Sequence, residues 1–249
     1  KQCPREKQTL FFSATISPKI KRLADNYMKD KLSFNAIKQV DPSKLKQIYY
    51  NVQKSVKFSL LAHQLHNERS GLVMVFCNTR RTVDFVQKNL RSQKINAIAI
   101  HGGFTQSKRN NTLKLFNDAK VGVLVCTDVA ARGLHIENVS HVYNYEIPKD
   151  PQDYVHRIGR TARAGANGLV VNLLCEFDHQ NFGRVEMEYP DFVIEKTQAP
   201  YVKQVRVEAF NQRSGFRGGR PGGFGNRRPG QSNSGRFRHK PRHHHRQES

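Results

Sequence analysis

The chain of 249 residues has no tryptophan, only three methionines and only four cysteines. Cys3, Cys77, Cys126 and Cys175 lie far apart and form no CxxC pair. Cys77 and Cys126 sit inside apolar runs, so the thiols read as reduced core cysteines of an intracellular, cytoplasmic protein. No stretch approaches the roughly 18 consecutive apolar residues of a membrane helix. No charged-then-apolar leader opens the chain either, so neither a membrane nor secretion is expected. Acidic residues are scarce: 20 stand against 42 lysines and arginines, for a net charge of +22 and a pI near 10.2. That imbalance points to a polyanionic partner, nucleic acid before membrane. A hydrophobic content of 37% supports one sizeable core only if the polar residues are concentrated elsewhere in the chain.

Gln8 to Phe12 reads as a buried strand, followed by Ser13, Ala14 and Thr15 as its polar exit. Ser17 and Pro18 have the character of a helix cap and first helical position, leading a helix from about Lys19 to Lys29. This pair has no strand before it, so residues 1–31 are expected to be the remnant of a domain begun upstream, with 32–44 a linker. Ile48, Tyr50 and Val52 then alternate with polar neighbours as an edge-type strand does. From there apolar runs and amphipathic helices alternate. Strands are expected at Leu72–Cys77, Ala97–Ile100, Val121–Cys126, Val139–Tyr145 and Leu169–Leu174, with helices at Thr82–Arg91 and Gln106–Asn117. Strands apolar on both faces are those of a parallel sheet between helices. The fold class is therefore α/β, a doubly wound parallel sheet over residues 45–176. Residues 177–210 are expected to hold a helix and an extended piece, broken at Tyr189-Pro190 and Ala199-Pro200.

In doubly wound sheets ligands bind beyond the carboxyl ends of the strands. The exits here are Asn78, Thr79 and Arg80; His101, Gly102 and Gly103; Thr127 and Asp128; and residues 156–165, HRIGRTARAG. Small hydroxyls, glycines and arginines let a backbone approach phosphates and hold them. Arg157, Arg160 and Arg163 recur every three residues, which would set them on one side of a helical turn. Planar guanidinium groups in that arrangement suit a polyphosphate. A solvated basic face is the plainer alternative. It weakens once four exits of one edge carry the same chemistry.

From Asn211 onward the composition changes. Residues 211–249 hold eight glycines, nine arginines and one lysine against a single acid, Glu248. Such a segment cannot bury enough apolar surface to offset chain entropy and is expected to be disordered. Arg217 and Arg220 can hold phosphates, and Phe216 and Phe224 can stack on bases, which describes a sequence-tolerant RNA-binding tail. His243 to His245 lack a carboxylate or cysteine partner and read as more of the basic tail, so no metal site is expected.

FSAT at 12–15, VFCNTRRTVDFV at 75–86, IHGGFTQSKRN at 100–110, VLVCTDVAARGLHI at 123–136 and VHRIGRTARAG at 155–165 together resemble the carboxyl-terminal half of a DEAD-box ATP-dependent RNA helicase. The resemblance covers residues 7 to about 175. It implies two RecA-like domains that close over ATP and single-stranded or locally unwound RNA, of which this chain holds the second. By position, Arg160 and Arg163 resemble arginines that reach the γ-phosphate of ATP bound to the first domain, with His156 and Arg157 as supports. Gly102, Arg109 and Thr127 resemble contacts to the RNA sugar-phosphate backbone, with Thr79, Arg80, Gln106 and Asp128 nearby. Ser13 and Thr15 resemble the hydroxyls that link hydrolysis to unwinding. Arg132 fits an ion pair or a ligand contact equally well.

Two departures from the family pattern stand out. His135 replaces the usual aspartate on the ATP ribose and loses a carboxylate's paired acceptors and charge. Ala162 replaces the commoner glycine, a small change expected to be tolerated. The chain also contains no GxxxxGK[ST] and no DEAD segment. ATP and Mg2+ are therefore expected on the first domain, and this chain alone is expected to be inactive. The alternative is a non-catalytic RNA-binding or RNA-chaperone module with a decayed nucleotide site. Deleting residues 211–249 should weaken RNA binding and flatten its log–log salt dependence by about 0.7 for each phosphate that the tail would otherwise neutralise. An unchanged slope in a salt titration would exclude the tail from binding.

Overall fold

The computed structural model describes residues 4, 6–12, 18–28, 30–34, 44–67, 71–134, 136, 139–162 and 167–208. The chain divides into two units at Phe210/Asn211, and the second, 211–249, lies outside the described residues. So do Ser13, Thr15, His135, Arg163, Cys3 and the tail residues Phe216, Arg217, Arg220 and Phe224.

Among the described residues seven parallel strands form one sheet. They are β1 (Leu45–Asn51), β2 (Leu72–Phe76), β3 (Ala97–Ile100), β4 (Val123–Cys126), β5 (Val139–Asn144), β6 (Gly168–Leu174) and β7 (Ile194–Lys196), in the order β3-β4-β2-β5-β6-β1-β7. The helices are α1 (Pro18–Tyr27), α2 (Lys54–Asn67), α3 (Arg80–Ser92), α4 (Gln106–Asn117), α5 (Asp128–Ala131), α6 (Pro151–Ile158) and α7 (His179–Glu188). Strand alternation sorts β2 onto both faces. Val73, Val75 and Cys77 join Phe58, Leu61, Val83 and Leu90 beneath α2 and α3. Leu72, Met74 and Phe76 join Phe116, Tyr154, Ile158 and Phe182 beneath α4, α6 and α7. Both faces are covered, as an all-parallel sheet requires.

Several expectations need correction. Gln8–Phe12 forms no strand, and Leu10 and Phe12 are 64% and 89% exposed; among the described residues no strand pairs with it. β1 is not at the edge. It lies between β6 and β7, because the extended piece expected after residue 177 pairs along its outer side. α2 is absent from the sequence reading because Lys57 to Ala62, Gln64 and Leu65 are all buried, which erases the polar stripe by which an amphipathic helix is recognised.

Residues 197–208 run back over α2 and α3 as a strap. Ala199, Val202 and Val205 pack on the first core cluster. Val205 N donates to Ser59 Oγ at 3.0 Å, and the carboxamide of Asn89 both accepts from Glu208 N at 2.7 Å and donates to its carbonyl at 3.3 Å. One amide thus captures a backbone as a neighbouring strand would.

A buried ion pair ties α2 to the start of α7. Lys57 Nζ lies 2.5 Å from Asp178 Oδ2, and Asp178 also accepts from Ile147 N at 3.1 Å and Cys175 N at 3.0 Å. Burial alone would raise the Asp178 carboxyl; the Lys57 ammonium and these donors overcome that and hold it below its usual value. A carboxylate depressed in the folded state adds stability above its unfolded pKa of about 3.9 and loses it as pH falls further. Asp178→Asn, which strands the Lys57 charge, should cost about 3 kcal/mol at pH 7 by urea denaturation, with the difference shrinking below about pH 4. A difference independent of pH would rule out the ion pair as its source.

Candidate nucleotide and nucleic-acid interface

Strands β3, β4 and β2 are neighbours, so their exits meet at one rim. Thr79 caps α3, accepting from Thr82 N at 3.0 Å, and leaves Arg80 exposed in the first turn. The Arg80 guanidinium lies over the next exit: a methyl group at Gly102 would stand 2.9 Å from its Nη2. Thr105 caps α4, which carries Gln106 and Arg109. Gln106 donates to Asn110 at 2.9 Å. Arg109 Nη2 donates to Ala130 O at 3.3 Å, tying α4 to α5, while its Nε is buried without a protein partner. Thr127 is 8% exposed and begins α5 with no side-chain capping bond.

Arg157 is the centre of the rim. It is 1% exposed, and all five of its N–H groups meet acceptors. Nε and Nη2 grip Asp128 Oδ1 and Oδ2 at 2.5 and 2.7 Å. The second Nη2 hydrogen meets Asn78 Oδ1 at 2.9 Å, and Nη1 meets Asn144 Oδ1 at 3.0 Å and Glu146 O at 2.6 Å. Its cationic carbon stands 5.1 Å from the centre of the Phe76 ring. A guanidinium with no free donor cannot take a phosphate, so the one-sided row of three arginines does not form. Arg157 points inward from the last turn of α6, and Gly159 closes the helix before Arg160. Asp128, expected beside RNA, has both oxygens turned to Arg157.

Because guanidinium only donates, it sets the direction of the bonds beyond it. Asn144, accepting at Oδ1, donates through Nδ2 to Asn172 Oδ1 at 2.8 Å. Asn172 donates to Ile48 O at 3.0 Å and Tyr154 OH at 3.1 Å, and Tyr154 donates to Gln47 Oε1 at 2.9 Å. The chain crosses β5, β6 and β1 through the middle of the sheet. Sequence reasoning does not single out Asn144, Asn172, Tyr154 or Gln47. The available signal is a lone asparagine inside each of two apolar strand runs, VYN and VVNLL.

Arg160 stands between two buried anchors, Arg157 and Thr161. Thr161 is fully buried and donates to Val139 O at 2.6 Å, and Arg160 Nη1 donates to Leu134 O at 2.9 Å. A methyl at Gly168 would come within 2.5 Å of Thr161 Oγ1 and 2.7 Å of Ala162 N, so only glycine lets β6 start here. Ala162 adopts a φ of 54°, a left-handed conformation that costs a residue with a Cβ about 1 kcal/mol; its replacement of glycine is accommodated at that cost. Arg132 resolves as an ion-pair partner of Asp153. Asp153 also faces His156 Nδ1 at 3.7 Å. Burial pushes the Cys77 and Cys126 thiols up, so neither is a nucleophile at this edge. Among the described residues no group of three His, Cys, Asp or Glu could hold a metal ion, and no helix is long and apolar enough to cross a membrane.

A RecA-like parallel sheet with this rim is the class of domain that forms the carboxyl half of helicase motors. Residues 56–165 match the helicase conserved C-terminal domain. The ATP-dependent RNA helicase CshA of Listeria monocytogenes is 42% identical over 175 residues, 70% of this chain and 34% of the relative. Yeast Dbp5 bound to RNA and ADP BeF3 superposes with a TM-score of 0.71 at 25% identity, covering 79% of this chain and 52% of that one. Escherichia coli DEAD-box protein SrmB, bound to the regulator of ribonuclease activity A, is 35% identical with a TM-score of 0.57, covering 67% of this chain and 98% of that one. The chain belongs to the DEAD-box RNA helicase family and corresponds to its C-terminal half. It spans about a third of the length of the curated relative.

Arg157→Lys keeps the charge but loses the two-pronged grip and most donors, and should lower stability by about 3 kcal/mol. A shift of the urea midpoint worth under about 1 kcal/mol would show that the network does not hold the rim.

Proposed function

We propose that the chain acts as the second RecA-like domain of an ATP-dependent RNA helicase, gripping RNA by its backbone and supplying arginines to ATP held by a first domain. The observation that carries this is the rim itself, where Arg80 over Gly102, Arg109 against Ala130 and the Arg157 network join three neighbouring strand exits into one surface. Thr79, Arg80, Gly102, Gln106, Arg109 and Thr127 are the proposed RNA contacts, all backbone-type and so independent of base sequence. Asp128 enters as a support, together with His156 and Arg157. Arg109, half-buried and anchored through Nη2 to Ala130 O, is proposed to bring its guanidinium charge to an RNA phosphate.

Arg160, held between Arg157 and Thr161, and Arg163 are the proposed arginine fingers. ATP, when bound with Mg2+ on the first domain, supplies the phosphoanhydride. These residues contribute fixed positive charge where negative charge develops on the transferred group. Ser13 and Thr15 are assigned to coupling, His135 to the ribose, and the tail with Phe216, Arg217, Arg220 and Phe224 to additional RNA contact, in an intracellular setting. Alone, the chain should not hydrolyse ATP.

Mixed with the matching amino-terminal half, the chain should support RNA-stimulated ATP hydrolysis. Arg160→Ala and Arg163→Ala should each lower the rate by about 10³-fold or more. Equal rates for wild type and both variants would sink the finger assignment. Retained RNA binding with no hydrolysis in any mixture would favour a non-catalytic RNA-binding module.

A further inference from the structure

His101 closes β3 and is 8% exposed, yet neither ring nitrogen is idle. Nδ1 lies 3.1 Å from the backbone nitrogen of Gly103, and Nε2 lies 3.0 Å from Asp84 Oδ1 on α3. A backbone N–H only donates, so Nδ1 must accept and the ring hydrogen must sit on Nε2, facing the carboxylate. The ring also meets Phe104 edge-on, with centroids 4.4 Å apart, and the Lys108 ammonium lies 3.7 Å from the other ring's centre. A methyl group at Gly103 would stand 3.1 Å from His101 Cε1 and Nδ1, and one at Gly102 would meet Arg80. The glycine turn is thus pinched between an imidazole on one side and a guanidinium on the other.

We propose that His101 is a positioning residue for RNA binding. Asp84 selects its tautomer, and its Nδ1 holds the Gly103 amide so that Gly102 and Arg80 are presented together to the RNA backbone. A loop with a buried acceptor for its amide is pre-ordered, so less ordering entropy is lost when RNA binds. A glycine pair without that acceptor would explore many conformations. This rests on the reading of Gly102 and Arg80 as RNA contacts.

The test measures binding of a fluorescein-labelled oligouridylate to the full chain by anisotropy at several salt concentrations. In His101→Asn the carboxamide oxygen takes the place of Nδ1 and keeps the Gly103 bond while losing Asp84, so affinity should fall no more than about twofold. In His101→Gln the longer side chain reaches toward Asp84 and leaves the Gly103 amide without its acceptor, so affinity should fall about tenfold. The salt slope should be unchanged in both, because no charge facing a phosphate is removed. Asp84→Ala removes a carboxylate that is 63% exposed without disturbing the core, and should cost about threefold. Equal losses in the asparagine and glutamine variants, or no loss in glutamine, would overturn the proposal. Arg109→Ala provides the separate control, with an expected slope decrease of about 0.7. If that slope and affinity stay unchanged, the RNA-backbone reading fails and this inference falls with it. If Arg109→Ala responds while His101→Gln and Asp84→Ala do not, only the positioning role of His101 fails.

Discussion

The burial of one guanidinium governs the carboxyl edge of this sheet. Taking the Arg157 charge out of water costs several kcal/mol, and that cost is offset only if a counter-ion and acceptors surround it. They come from three segments: Asp128 after β4, Asn78 after β2, and the end of β5 with Asn144 and the Glu146 carbonyl. Each strand exit must therefore be at its station for the arginine to be tolerated. The arginine in turn penalises any state in which one exit is displaced. A salt bridge of this kind is weak evidence for added stability but a strong constraint on arrangement.

That constraint separates the groups that hold the rim from the groups that face outward. Arg157 and Thr161 are buried, and Arg160 lies between them with its chain path set on both sides. Arg80 reaches over Gly102 because the Thr79 cap starts α3 at the rim. Charged groups that meet phosphates need geometric definition more than added charge, since the favourable term depends on preorganisation. The polar chain from Asn144 to Gln47 extends the same logic inward. Each amide has one orientation because the guanidinium at its origin can only donate.

Differences between the sequence pattern and the folded chain share one cause. Local periodicity reports which residues are apolar, not what covers them. Ile48, Tyr50 and Val52 alternate with their neighbours as an edge strand does, but Ile194–Lys196 supplies an outer neighbour to β1 from 147 residues further along the chain. The consecutive burial of Lys57 to Ala62 hides α2, because Asp178 arrives to neutralise Lys57. The three-residue spacing of arginines suggests a common face, yet the end of α6 falls between Arg157 and Arg160 and turns them different ways.

By itself the sequence determined the α/β class, the parallel sheet and the family, because apolar strands and their polar exits occur in ordered, characteristic motifs that depend only on local spacing. It also placed Thr79, Arg80, Gly102 and Thr127 at the carboxyl edge, since the first positions after a strand in such a sheet lie there, whereas Arg109 and the role of Arg160 were marked by the family resemblance. Only the tertiary structure decided which arginine is buried and which faces out, the pairing of Arg132 with Asp153, and the capture of the Gly103 amide by His101. The first two depend on partners delivered by other segments, and the His101 bond, though it spans two residues, needs Asp84 on α3 to place the ring hydrogen on Nε2. A side chain's hydrogen-bonding partners are settled by packing, whereas its place along a strand or loop is settled by its neighbours in the chain.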